Sequence, residues 1–131
     1  MTERSTRQRA AIRNALESAR RPLSPQEILA AARHTVPGLG LATVYRNLKL
    51  LLAQGTIEAI ALSGEAPRYE AAQADHHHHF QCTACRRVFD MKGCPGSLRR
   101  LAPRGFRVEY HELTLYGRCS DCRSDAARAG P

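Results

Sequence analysis

Residues 75–85 read Asp75-His76-His77-His78-His79-Phe80-Gln81-Cys82-Thr83-Ala84-Cys85, and they hold four of the six histidines and two of the five cysteines. The run predicts a β-strand that leads into a metal knuckle. Successive side chains on a strand point to opposite faces. His76 and His78 therefore face one way, and His77 and His79 face the other, so one strand can feed two metal sites. Cys82 and Cys85 follow with the two-residue gap that lets both thiolates reach one zinc ion. The run is internal, four residues long and continuous with Cys-x-x-Cys, which sets it apart from a purification tag.

Cys119 and Cys122 repeat the spacing near the other end of the chain. Two such pairs offer four soft ligands in tetrahedral reach of one zinc, with no position left open for chemistry. The expectation is a structural zinc site on Cys82, Cys85, Cys119 and Cys122. At 131 residues the chain suffices for one ordinary domain or two small ones. No apolar run approaches the roughly 20 residues of a membrane span, and the basic start, Met1 to Arg21, lacks the apolar stretch of a secretory signal. A cytoplasmic setting is expected, where paired cysteines serve metals rather than disulfides. The formal charge is +8 and stays positive after four thiolates and a Zn²⁺ ion are counted. A basic small protein suits a nucleic-acid partner and no membrane, although basic proteins without such a partner are common.

From Thr6 to Ala19, Ile12, Leu16 and Ala19 recur at helical spacing, and Arg7, Arg9 and Arg13, with Arg4 just before them, make the other face cationic. Taken alone, that face reads as a solvated one. Pro22 ends the helix. Ser24-Pro25-Gln26-Glu27 is a capping box that opens a second helix running to about Arg33. Leu41 to Gln54 reads as a third helix, with Gly55 as its stop. Its C-terminal half is apolar, and its N-terminal half carries Thr43, Tyr45, Arg46, Asn47 and Lys49, which can reach phosphates or base edges. Thr56–Leu62 and Arg68–Glu70 read as a hairpin around a turn at 63–67. Three helices and a hairpin make a winged helix-turn-helix. Further on, strands are expected at 86–90, 106–110 and 112–116, and a short helix at 97–102.

Gly40-Leu41-Ala42-Thr43-Val44-Tyr45-Arg46-Asn47-Leu48, followed by the histidine run and Cys-x-x-Cys, resembles the ferric uptake regulator family: dimeric, metal-responsive bacterial repressors of the Fur, Zur, PerR, Mur and Nur types. Thr6 to Arg9, Ser24 to Glu27, and His111 to Cys119 with Cys122 extend the resemblance over nearly the whole chain. It implies an α+β protein: a winged-helix DNA-binding domain at 1–64, a hinge at 65–69, a small α/β dimerisation and metal-binding domain at 70–124, and a disordered tail at 125–131. It also implies a double-stranded operator, an AT-rich palindrome, contacted by Arg4, Arg7, Arg9, Thr43, Tyr45, Arg46 and Asn47 of a homodimer.

The resemblance maps a regulatory site onto Glu70, His77, His79 and Asp90, for Zn²⁺, Fe²⁺ or Mn²⁺. An ion there favours the DNA-competent arrangement and shifts the population toward it. Iron and peroxide sensors of the family supply one more histidine just before the second helix, where this chain has Pro22. Zinc sensing is therefore placed ahead of the iron-dependent or peroxide-responsive alternative. A third site uses His76, His78 and His111; the acid that the family adds falls on Cys94 when the chain is aligned back from His111. A thiolate there favours zinc. The competing readings of Cys94 are a buried, inert thiol and, with Pro95, a Cys-Pro haem motif. Two other functional classes stay open, a zinc-dependent enzyme and a zinc-binding adaptor. The absence of a His-Glu-x-x-His motif argues against the enzyme, so no catalytic residue is assigned.

Overall fold

Thr2 starts the first helix. Its hydroxyl accepts from the Ser5 N–H at 3.1 Å, and α1 runs Glu3–Ala19 in the computed structural model, which describes residues 2–73 and 77–123. His76 and the tail expected at 125–131 lie outside the described residues. The helix begins three residues before the expected Thr6 because Thr2 supplies the side-chain acceptor that an N-terminus needs. It buries Ala11, Ile12 and Leu16 and ends at Arg20, whose left-handed φ of 55° turns the chain toward Pro22. The capping box of α2 (Pro25–Ala32) is complete. Ser24 Oγ accepts from the Glu27 N–H at 3.1 Å, and Glu27 Oε1 accepts from the Ser24 N–H at 2.9 Å. Helix α3 (Leu41–Ala53) buries Val44, Asn47, Leu48 and Leu51. Ile12, Leu16, Ile28, Ala32, Leu39, Val44, Leu48 and Leu51 form one core.

Strands β1 (Ile57–Leu62) and β2 (Glu65–Ala71) pair antiparallel, with Ala59 opposite Tyr69. Leu23 exchanges two backbone hydrogen bonds with Tyr69, at 2.7 and 2.8 Å, which ties the hairpin to the link between α1 and α2. This is the winged helix-turn-helix. The hinge expected at 65–69 is instead part of β2, because the turn is confined to Ser63 and Gly64 and strand pairing continues to Ala71. The chain divides after Ala74 into two compact units.

The second unit is built on a three-stranded sheet in the order β4-β3-β5. Strand β3 (His78–Cys82) is central, antiparallel to β4 (Val88–Met91) and parallel to β5 (Thr114–Gly117). The helix expected at 97–102 is a single 3₁₀ turn, Arg99–Leu101. The strand expected at 106–110 does not form. Residues 106–110 pair with no strand among the described residues, and alternation alone does not supply a partner. Phe106 and Tyr110 are left 72% and 80% exposed.

Candidate metal centres and nucleic-acid interface

The parallel register sets Cys82 opposite Gly117, which carries Cys119 back to the knuckle. A Cβ at Gly117 would stand 3.1 Å from the Phe80 ring, which would have to give by a few tenths of an ångström to admit it. The N–H groups of Cys85 and Cys119 each donate to Cys82 Sγ at 3.4 Å. Cys85 and Cys119 sulfurs are 3.8 Å apart, and all four sulfurs lie within 4.8 Å of one another. Zinc–sulfur bonds of about 2.3 Å in a tetrahedron put sulfurs roughly 3.8 Å apart, so the set fits a zinc ion.

The electrostatics point the same way. Burial raises the Cys82 thiol, but backbone N–H donors from Cys119, Cys85 and Ala84 outweigh it and bring it down to about 5. Cys122, hydrogen-bonded to Cys119 and desolvated, is pushed up to about 12. Four sulfurs this close cannot all ionise without a cation, and zinc supplies one while displacing the remaining protons. Arg87 is a residue that the motif does not announce. Its Nε donates to Cys85 Sγ at 3.2 Å, and its Nη2 reaches Cys119 Sγ at 3.7 Å and Asp121 at 2.9 Å. That hydrogen bond is the first cause holding the Cys85 thiol below its ordinary range. A cation two residues past a Cys-x-x-Cys pair, entering a strand, is the sequence signal that would have found it.

On one side of β3, His77 Nε2 and His79 Nε2 stand 3.5 and 3.2 Å from the same Asp90 oxygen. The antiparallel pairing sets His79 opposite Asp90, and the two imidazole rings meet edge to face at 4.8 Å. Two ring nitrogens and a carboxylate suit Zn²⁺, Fe²⁺ or Mn²⁺. Glu70 belongs to the first unit, on β2. His78 takes the opposite direction and lies with Cys94 and His111. Cys94 is exposed, which corrects the reading of a buried thiol.

In the first unit, Tyr45, Arg46 and Lys49 face solvent on α3, and Arg4, Arg7 and Arg13 do so on α1. The Arg46 guanidinium is steadied on Thr43 Oγ1 at 3.0 Å. Asn47 is a correction to the expected interface. It is 6% exposed, donates to Thr43 O at 2.9 Å, and accepts from Arg9 Nε at 3.2 Å. Its side chain locks α1 to α3 and presents nothing to a nucleic acid. Asn47→Ala should therefore cost on the order of 1–3 kcal/mol in stability by stranding part-buried polar groups. Urea unfolding of the full chain checks this, and an unchanged midpoint would show the lock to be idle.

The model of the ferric uptake regulator family matches residues 1–116. The chain belongs to the ferric uptake regulator family. Among its relatives in the ferric uptake regulator family, a ferric uptake regulation protein of Campylobacter jejuni is 30% identical over 129 residues, covering 94% of this chain and 82% of that protein. A zinc uptake regulation protein of Mycobacterium tuberculosis is 34% identical over 124 residues, covering 92% of this chain and 95% of the other. The solved ferric uptake regulator of Helicobacter pylori, described as having three functional metal binding sites, superimposes with a TM-score of 0.71 at 25% identity, over 88% of this chain and 79% of that one.

Proposed function

We propose that this family member is a homodimeric, metal-responsive repressor that binds double-stranded DNA, with zinc as its regulatory ion. The convergence of His77 and His79 on one Asp90 oxygen, in a chain that also carries a winged helix with a polar, solvent-facing third helix, is the observation that supports it. His77, His79 and Asp90 would hold the ion, and the family resemblance adds Glu70. The ion supplies positive charge and a fixed ligand geometry when bound.

The remaining work falls to the chain's own residues. Tyr45, Arg46 and Lys49 form the face that a recognition helix offers to the major groove. Arg4 and Arg7 on α1 suit phosphates, the sequence-independent part of the affinity. Leu101, Phe106, Tyr110 and Leu115 leave a single chain with exposed apolar surface in its second unit. A second copy would cover such a surface, and a two-fold dimer reads a palindromic site; the resemblance makes that site AT-rich. Zinc is favoured over iron because the position before α2 is Pro22, buried and without a donor.

A shift assay with an AT-rich palindrome, with and without EDTA, tests the class. Binding that EDTA abolishes and Zn²⁺ restores supports it; no binding under any metal overturns it. Within that assay Arg46→Ala should cost about 1–3 kcal/mol and relax sequence preference. Arg4→Ala should weaken all sequences alike and flatten the salt slope. Wild-type operator affinity in Arg46→Ala would mean that the assigned helix end does not read DNA. Operator binding that responds to Fe²⁺, is erased by hydrogen peroxide and ignores buffered Zn²⁺ would replace zinc by a peroxide-sensing iron site.

A further inference from the structure

We propose that Arg87 shields the sulfurs of the four-cysteine cluster from soft electrophiles, so that the cluster keeps its zinc in their presence. The inference rests on that cluster holding zinc. A turn delivers the side chain. Arg86 takes a left-handed φ of 68°, its N–H donates to Cys82 O at 2.9 Å, and the Cys82 N–H donates to Arg87 O at 3.0 Å. The chain thus folds back on the first knuckle just before β4 begins at Val88. The guanidinium then spans both knuckles. Its Nε donates to Cys85 Sγ at 3.2 Å, and its Nη2 donates to Cys119 Sγ at 3.7 Å and to Asp121 Oδ2 at 2.9 Å.

Four thiolates around one Zn²⁺ leave an excess of negative charge, and thiolate character is what makes a sulfur nucleophilic. Exposure decides which sulfur meets a reagent first. Cys82 and Cys119 are buried, whereas Cys85 is exposed and Cys122 is partly so. Arg87 puts its shortest sulfur contact on the exposed one. A guanidinium does not deprotonate in a protein, so the donor is permanent. A hydrogen bond from it draws charge from the sulfur lone pair that an electrophile would otherwise take.

Two neighbours fix the guanidinium in that place. Asp121 holds one end of the planar fork, and the Phe89 ring lies under it, 5.4 Å from the guanidinium carbon to the ring centre. A long side chain without such anchors would lose rotamer entropy to hold one geometry. The hydrogen bonds of Arg87 go to Cys85 and Cys119 and leave out Cys122. Protection should therefore centre on Cys85 rather than spread evenly over the cluster.

The test uses the full chain, isolated with zinc, and iodoacetamide, in which a sulfur–carbon bond forms as the carbon–iodine bond breaks and iodide leaves. Metal analysis before the reagent is added checks the cluster itself; a chain without zinc overturns the cluster and the shield together. Peptide mapping then gives the initial alkylation rate at each cysteine, and a chromogenic chelator follows the zinc released. Arg87→Ala should speed alkylation of Cys85 and zinc release about 3- to 10-fold. Cys122 should change less, and Cys94, outside the cluster, should keep its wild-type rate. Arg87→Lys, which keeps the charge and a donor, should fall between wild type and Arg87→Ala. Asp121→Asn should move Cys85 in the same direction as Arg87→Ala. Equal initial rates at Cys85 in wild type and Arg87→Ala would overturn the shield. So would a rise shared alike by all four cluster cysteines, since Arg87 would then only hold the knuckles together.

Discussion

Cys82→Ser and Cys119→Ser are each expected to lose one zinc per chain and most of the thermal stability of the second unit. Zinc content measured alongside a melting curve will show it. The reasoning rests on how little else that unit buries. Among its described residues, the buried apolar side chains are Cys82, Val88 and Cys119, so two of the three are themselves members of the sulfur cluster. A unit of this size cannot offset its conformational entropy with one valine. Structural zinc sites contribute about 10–16 kcal/mol of apparent binding free energy, which is coupled to folding. That is comparable to the whole stability of an ordinary domain, roughly 5–15 kcal/mol. Cys82 is the more sensitive position, because its sulfur receives both the Cys85 and Cys119 N–H groups. Serine keeps an acceptor there but is a far poorer zinc ligand. Wild-type zinc content and melting in both variants would remove the four-cysteine site from the protein's account.

The first unit is legible in the sequence because its signals are local. The capping box at Ser24, the proline after α1 and the glycine after α3 each act within a few residues, and all three mark helix ends in the structure. What escapes is side-chain direction at a helix face crowded from two sides. Asn47 shares the polar end of α3 with Arg46, yet one turns inward to Arg9 and the other outward. Gly64 and Pro67 make 63–67 read as a turn, while the backbone pairing that makes Glu65 onward a strand is set by β1. In the second unit the parity of the histidine run is legible, since β3 sends His79 to Asp90 and His78 to Cys94 and His111. The strand at 106–110 is not, because alternation says nothing about whether the segment finds a pairing partner. Arg87 has only its place two residues past Cys85 to mark it, and the folded knuckle is what brings its guanidinium onto two sulfurs.

His77→Ala or His79→Ala should abolish metal-dependent operator binding while leaving the zinc–cysteine cluster and the dimer intact. His78→Ala should act more weakly on that response. The division follows from strand geometry. His77 and His79 both face Asp90 Oδ1, at 3.5 and 3.2 Å, so removing either takes a nitrogen ligand from one ion and leaves the other imidazole facing a carboxylate. His78 points to the other side, 3.3 Å from Cys94 Sγ, and its loss reaches the first ion only through the strand they share. Loss of one ligand from a site with few protein donors removes the differential affinity by which an ion shifts a population, and a ligand without that difference shifts nothing. Glu70→Gln tests whether the first unit contributes to the same ion; an unaltered metal response in that variant would remove Glu70 from the ligand set. Zinc stands above iron and manganese in intrinsic affinity for nitrogen and oxygen ligands. The measurement is therefore operator binding at buffered free metal, repeated for each histidine variant. Equal loss of response in His78→Ala and His79→Ala would refute the division into two faces, and the regulatory role would then belong to β3 as a whole.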